Sequence, residues 1–167
     1  GDVYKRQLPN ISHSKKNCTL LFLNDGQDLP KMNLSQVLKN YEQEHINDFF
    51  IVGIYCSDNR VDEYGTAGML DFKGRGKSSS QYQSFLISEL LPFLIQEYGD
   101  FTFTVKAIAG FSLGGLSAID TIWNHPETFQ LCGVFSGSLW WRDKDHLATD
   151  FKEATNRIMH QLIRKGN

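Results

Sequence analysis

Short apolar runs alternate along the chain with segments whose apolar residues have helical spacing. Continuous runs predict strands at residues 18–23, 49–55, 104–109 and 131–135. Apolar residues three and four positions apart predict helices over residues 34–41, 82–98, 113–123 and about 150–164, with a kink at Pro92 in the second. Apolar strands separated by helices are typical of a parallel sheet covered on both faces. The predicted fold class is therefore α/β, a three-layer sandwich with a mostly parallel sheet.

Candidate chemistry collects where the predicted strands end. In an open parallel sheet, ligands bind beyond the carboxyl ends of the strands, which lie at one edge. Four polar or aromatic segments follow the four strands: residues 25–27, 56–64, 110–112 and 136–141. We therefore expect one site at this edge, built from loops that are far apart in sequence.

Composition excludes several classes of protein. The chain has 167 residues and a formal net charge of −2, with scattered Lys and Arg, so nothing predicts nucleic-acid binding. No apolar run approaches the roughly 20 residues of a membrane-spanning helix, so no membrane partner is expected. The three cysteines are far apart and the histidines lack metal-ligand spacing. The sequence predicts neither a metal site nor a cofactor.

The most specific motif is the pentapeptide Gly110-Phe111-Ser112-Leu113-Gly114, which lies between a predicted strand and a predicted helix. Small flanking residues let the backbone turn sharply there, which lifts the serine hydroxyl clear of the sheet. The turn also places that hydroxyl near a helix N-terminus, where negative charge is stabilised. The motif is typical of a nucleophile elbow.

Four blocks in this order resemble the enterochelin-esterase-like family of α/β-hydrolases. They are residues 21–27 (LFLNDGQ), Arg60 with Glu63-Tyr64, residues 109–118 (AGFSLGGLSA) and residues 135–141 (FSGSLWW). The resemblance covers residues 18 to about 142 and implies a partial α/β-hydrolase fold that lacks the last strands. It also implies a serine esterase that acts through an acyl-enzyme.

The resemblance implies a role for five residues. Ser112 would be the nucleophile, and the backbone N–H groups of Leu113 and Gln27 would form the oxyanion hole. Arg60 would face the substrate, although a bracing pair with Asp62 or Glu63 explains an arginine there equally well. Trp140 would line the substrate pocket, with aromatic core packing as the alternative.

A serine nucleophile needs a base, and the family's order is serine, then acid, then histidine. The best-placed histidine after Ser112 is His146, for which an exposed loop position is the more ordinary interpretation. We therefore expect the triad acid and histidine to lie beyond Asn167 and the 167-residue chain alone to be inactive. An acyltransferase, or a binding or scaffold protein that has lost catalysis, remains as an alternative.

The ends of the chain limit further inference. Residues 2–7 can be back-translated to a transposon end used to prepare sequencing libraries, or they form an ordinary polar arm. We expect a poorly structured segment over residues 1–17 and a partial hydrolase domain over residues 18–167. If the transposon origin is correct, residues 1–7 derive from the sequencing adapter. The expected partner is a small-molecule or carbohydrate-linked ester. The sequence indicates neither the localisation nor the oligomeric state.

Overall fold

Four strands form a single parallel sheet in the computed structural model, which describes residues 16–42 and 49–166. The spatial order is β2-β1-β3-β4, and every pairing is parallel. The bounds are β1 (Lys16–Asn24), β2 (Phe49–Ile54), β3 (Phe101–Phe111) and β4 (Leu131–Phe135). The predicted α/β class with a parallel sheet is confirmed, and each predicted strand is present with small shifts at its ends.

Seven α-helices are assigned in the described part of the chain. They are α1 (Leu34–Glu42), α2 (Arg60–Glu63), α3 (Ser79–Phe85), α4 (Leu91–Glu97), α5 (Leu113–Asn124), α6 (Glu153–Asn156) and α7 (Ile158–Lys165). A 3-10 turn (Gly26–Asp28) follows β1, and a π-helical turn (Leu86–Leu90) joins α3 to α4. Pro92 lies in the first turn of α4. Proline lacks an N–H group and cannot continue the regular hydrogen-bond pattern of a helix. The structure has a wider π turn directly before Pro92, near the position where the sequence predicted a kink.

The prediction of one continuous helix over about 150–164 is wrong. Arg157 has an extended backbone (φ −82°, ψ 116°) and separates α6 from α7. Its backbone bridges to Arg142, and the Ile158 N–H donates to the Trp141 carbonyl at 3.0 Å. The segment after β4 therefore interrupts the helix by taking over its backbone hydrogen bonds, an effect that helical spacing cannot reveal.

Alternation along the central strands divides the core between the two faces of the sheet. On β1, Leu20 and Phe22 point into the larger cluster, which includes residues of α3, α4, α5 and α7. Leu23 points to the opposite face, where it packs near Leu34 and Leu38 of α1. Helices therefore cover both faces, as predicted. Each large apolar side chain buried in this way contributes roughly 1.5–3 kcal/mol to stability.

The expected N-terminal segment falls almost wholly on residues 1–15, which lie outside the described residues. The first described residues, Lys16 and Asn17, already belong to β1. Strand β1 therefore begins two residues before the predicted domain boundary at residue 18.

Candidate active site

Ser112 occupies a tight turn between β3 and α5. Its backbone is in an unusual region (φ 54°, ψ −118°), and α5 begins at the next residue. The turn is close enough that a Cβ atom on Gly110 would lie 2.4 Å from the backbone carbon of Gly114. Only glycine fits at position 110, because the obstruction is backbone and cannot rotate away. This is the strand-turn-helix geometry that the pentapeptide predicts.

Three neighbouring strands end in a residue of positive φ at the same edge of the sheet. They are Asp25 after β1 (φ 59°), Ser112 after β3 (φ 54°) and Ser136 after β4 (φ 47°). Such conformations cost of order 1–3 kcal/mol for non-glycine residues and concentrate at functional sites. The predicted site edge is therefore also the place where backbone strain collects.

The hydroxyl of Ser112 faces the hydroxyl of Ser138. The two oxygens are 3.1 Å apart, and Ser138 is only 2% exposed. The turn after β4 is fixed to the elbow by two backbone bonds: the Ser112 N–H donates to the Phe135 carbonyl at 3.0 Å, and the Ser138 N–H donates to the Ser112 carbonyl at 2.9 Å. Ser138 belongs to the block of residues 135–141 that resembles the family, but the sequence predicted no role for it.

The two backbone groups predicted as oxyanion donors come from adjacent strands. Leu113 is the first residue of α5, where an N–H has no acceptor within the helix. Gln27 lies in the 3-10 turn after β1. The two segments are close, since a Cβ atom on Gly114 would lie 3.0 Å from Asp25 Oδ2. The structure thus brings together the loops that carry both donors.

The Gln27 side chain is occupied elsewhere. Its Nε2 donates to Asp25 Oδ1 and to Cys56 Sγ, each at 3.1 Å, while its Oε1 accepts the Cys56 N–H at 3.3 Å. These bonds join the turn after β1 to the end of β2. The pKa of the Cys56 thiol is raised, mainly by burial and secondly by its hydrogen bond to Asp25, so the neutral thiol is favoured. Because its side chain is bonded to Asp25 and Cys56, Gln27 would take part in a reaction through its backbone N–H group.

Arg60 forms a two-point ion pair with Asp25. Its Nε lies 2.6 Å from Oδ1 and its Nη2 lies 2.7 Å from Oδ2, while its guanidinium carbon stands 5.2 Å from the centroid of the Tyr64 ring. The Arg60 side chain remains 31% exposed. Because Nη1 takes no part in the pair with Asp25, a further donor edge of the guanidinium remains for a ligand.

The bracing partners predicted for Arg60 were wrong. Glu63 accepts hydrogen bonds from the backbone and hydroxyl of Ser57, and Asp62 accepts the Gly76 N–H. Both carboxylates therefore stabilise the loop itself. Asp25, which the sequence analysis did not consider as a partner, lies 35 residues earlier and reaches Arg60 only through the fold.

A buried network of hydrogen bonds holds the carboxyl end of β1. Asn24 Nδ2 donates to the Gly114 carbonyl at 2.8 Å, and the Tyr82 hydroxyl donates to Asn24 Oδ1 at 2.6 Å. The Tyr64 hydroxyl accepts the Asp25 N–H at 3.0 Å. Burial raises the pKa of both tyrosines, so they remain neutral. The network connects the elbow helix, β1 and α3, and the sequence predicted none of its hydrogen bonds.

The adjacent tryptophans have different environments. Trp141 is fully buried, and the guanidinium carbon of Arg75 lies 5.0 Å from its ring. Trp140 is 43% exposed and lines a cavity of about 220 Å³ together with Arg142, His146 and Phe151. Core packing therefore accounts for Trp141, and Trp140 is the one available to contact a ligand.

None of the three histidines in the described part of the chain hydrogen-bonds to Ser112. His146 Nδ1 lies 2.8 Å from Arg142 Nη2 and 3.1 Å from Asp145 Oδ1, on an exposed loop. His125 faces Glu127 at 3.6 Å, and His160 belongs to α7. The structure therefore gives Ser112 a hydroxyl neighbour and not an imidazole.

The described residues contain no group of three or more His, Cys, Asp or Glu side chains arranged to hold a metal ion. No helix among them has the length and apolar character needed to cross a membrane.

Comparison with known proteins identifies the family of the chain. The family model described as "Putative esterase" matches residues 4–164. The chain belongs to this esterase family. A comparison with curated proteins gave no match.

Solved structures share the fold. The siderophore hydrolase EstA from Aspergillus nidulans has a TM-score of 0.63 at 20% identity, over 77% of this chain and 49% of that one. EstB from the same organism has a TM-score of 0.62 at 18% identity, over 85% and 55%. The enterobactin esterase FES from Shigella flexneri has a TM-score of 0.58 at 22% identity, over 85% and 33%. The chain thus spans about half the length, or less, of these hydrolases.

Proposed function

We propose that the protein is a serine carboxylic-ester hydrolase that forms an acyl-enzyme on Ser112. The observation that carries the proposal is the strained Ser112 turn between β3 and α5, in a chain of the esterase family. A strained residue held by glycines at a sheet edge is what a nucleophile elbow requires. The match of fold to solved siderophore and enterobactin hydrolases supports the same reaction class.

In the proposed reaction, Ser112 Oγ attacks the ester carbonyl while its proton passes to a base. The developing oxyanion would accept hydrogen bonds from the Leu113 and Gln27 backbone N–H groups. The base returns that proton to the leaving oxygen, and the alcohol departs. Water then loses a proton to the base and attacks the acyl-enzyme, which releases the acid and returns the proton to Ser112. Since none of the described histidines contacts Ser112, we assign no base. The hypothesis that acid and histidine lie beyond Asn167 stays a prediction, as does inactivity of the 167-residue chain alone.

Arg60 and Trp140 are proposed to contact the substrate. The open edge of the Arg60 guanidinium could bind a carbonyl or phenolate oxygen, and the exposed Trp140 ring could stack on an apolar group. The structural neighbours include a siderophore hydrolase and an enterobactin esterase, so a siderophore ester is the first substrate to test, ahead of a feruloyl sugar or a simple acyl ester.

The test is Ser112→Ala in the full-length gene product. We expect covalent labelling by a fluorophosphonate probe to disappear and ester hydrolysis to fall by several orders of magnitude. The melting temperature should change little, because serine and alanine tolerate this positive φ similarly. Ser35→Ala, on the exposed face of α1, is the control and should keep full labelling.

Equal labelling of Ser112→Ala and wild type would overturn the assignment of the nucleophile. Absence of labelling in the wild type would favour a binding or scaffold protein. An acyltransferase would instead label normally and transfer the acyl group to an added alcohol faster than to water.

A further inference from the structure

The turn after β4 is built into the nucleophile elbow. Besides the two backbone bonds to Ser112, Gly137 packs against the start of α5: a Cβ atom on Gly115 would lie 3.2 Å from the Gly137 Cα. The Trp141 N–H donates to the Ser138 carbonyl at 3.0 Å, which fixes the far side of the turn. Ser138 is therefore held by its neighbours on both sides, with its hydroxyl directed at Ser112 Oγ.

Each of the two hydroxyls carries one hydrogen, so the 3.1 Å contact can run in either direction. During acylation, the hydrogen of Ser112 must leave for the base. The contact can then persist only if Ser138 supplies the hydrogen. In that direction Ser138 donates to an oxygen that is gaining negative charge, and such a bond is stronger than one between neutral groups.

We infer that Ser138 is a positioning residue for the reaction at Ser112, an inference that rests on the proposed function. Its hydroxyl holds the Ser112 side chain in the attacking rotamer and donates to Oγ while the O–H bond of Ser112 breaks and the bond to the acyl carbon forms. Ser138 keeps its own proton throughout. The same donor assists deacylation, when Oγ becomes the leaving group and regains its proton from the base.

The burial of Ser138 distinguishes a positioning role from a role in substrate binding. Ser138 is 2% exposed, so little of it is open to a ligand. Loss of its hydroxyl should therefore lower kcat and leave KM close to the wild-type value. A residue that merely supported the fold would instead reduce the amount of active protein and change neither constant for the molecules that remain folded.

The experiment compares Ser138→Ala, Ser138→Cys and Ser138→Thr in the full-length gene product. The readouts are the rate of fluorophosphonate labelling at Ser112, located by peptide mass, and kcat and KM for p-nitrophenyl acetate. We expect the Ala variant to be about tenfold slower in labelling and in kcat. The Cys variant preserves packing but is a weak donor, so it should be similarly slow. The Thr variant retains a hydroxyl and should recover most of the rate.

Ser79→Ala is the matched control. Ser79 is 1% exposed, and its hydroxyl donates to the Asp62 carbonyl at 3.1 Å, outside the proposed machinery. It should lower the melting temperature about as much as Ser138→Ala and leave labelling per folded molecule unchanged. Wild-type rates in both the Ala and the Cys variants of Ser138 would overturn the inference while leaving Ser112 as nucleophile. Absence of labelling in the wild type would instead overturn the proposed function, and the inference with it.

Discussion

The two flanks of Ser112 are built differently. On the β1 side, buried hydrogen bonds that involve Asn24, Tyr64 and Tyr82 hold the end of β1, and Asp25 also pairs with Arg60. On the β4 side the strand exposes large apolar side chains, with Leu131 at 55% and Phe135 at 49% exposure. Both flanks bond to the elbow, but only the second has an exposed apolar surface, on β4. Substitutions should therefore be costly among the buried groups of the first flank and inexpensive on the exposed surface of β4.

The largest effect is expected at the elbow itself. Gly110→Ala would place a methyl group 2.4 Å from the Gly114 backbone, so strand and helix would have to separate. We expect a loss of several kcal/mol, enough to leave little folded protein. Gly68→Ala is the control, because a Cβ atom there meets nothing within 4 Å. Thermal and urea denaturation measure both. A Gly110→Ala protein as stable as the control would show that the turn is looser than described.

A smaller loss is expected for the ion pair of the first flank. Asp25→Asn should cost about 2 kcal/mol, less than the 3–5 kcal/mol for breaking a fully buried pair, because Arg60 is partly exposed. A double-mutant cycle with Arg60→Gln should give a coupling of about 1 kcal/mol or more.

The exposed Asp28–Lys31 pair provides the comparison for that cycle. It has a similar separation of 2.6 Å, but its side chains are 36% and 80% exposed. Asp28→Asn with Lys31→Gln should couple much more weakly than the Asp25–Arg60 cycle, because water screens both charges. Equal coupling in the two cycles would contradict the contrast between a supported and a solvated pair.

Asp120 offers a pH-dependent test of the buried side of α5, the helix that begins at the elbow. Its Oδ2 accepts hydrogen bonds from the Ala67 N–H, from Gln83 and from Asn124, yet burial raises its pKa above the ordinary 3.8. Between 3.8 and that raised pKa, the folded protein holds a proton that the unfolded chain has released. Stability from this group is therefore present at low pH and lost as the pH rises through that window.

Asp120→Asn removes this titration. As the pH increases from about 4, the free energy of unfolding of the wild type should therefore fall relative to that of the variant. Urea denaturation at several pH values measures it, and all other groups cancel in the comparison. A difference that is flat, or that moves the other way, would contradict a raised pKa at this position.

The smallest effect is expected on the second flank. Leu131→Ser removes a largely exposed side chain, so the free energy of unfolding should change by no more than about 0.5 kcal/mol. Solubility should improve, because apolar side chains on an edge strand promote association between molecules. Denaturation and light scattering test the two parts separately. A loss of 2 kcal/mol would mean that this flank is as tightly built as the first.

The sequence predicted the elements and the elbow because both depend on local order. Apolar runs identified the four strands, and the glycines around Ser112 identified the turn. The pairing of Arg60 with Asp25 and the contact of Ser138 with Ser112 were not predicted, since each joins segments that meet only after the sheet has formed. The break at Arg157 was missed for the same reason, because its backbone partner, Arg142, precedes the helix pattern.

The strand order has a consequence for how the chain is made. Strand β1 lies inside the sheet beside β3, and its contact from the Thr104 hydroxyl to the Cys18 carbonyl spans 86 residues. At roughly 5–20 residues per second, a ribosome needs several seconds to deliver that partner. During this interval β2 is the one described neighbour of β1 that has been made, and the edge of β1 that later pairs with β3 is open to neighbouring chains. Slowed translation between β2 and β3 would prolong that exposure and lower the yield of folded protein without any change in sequence.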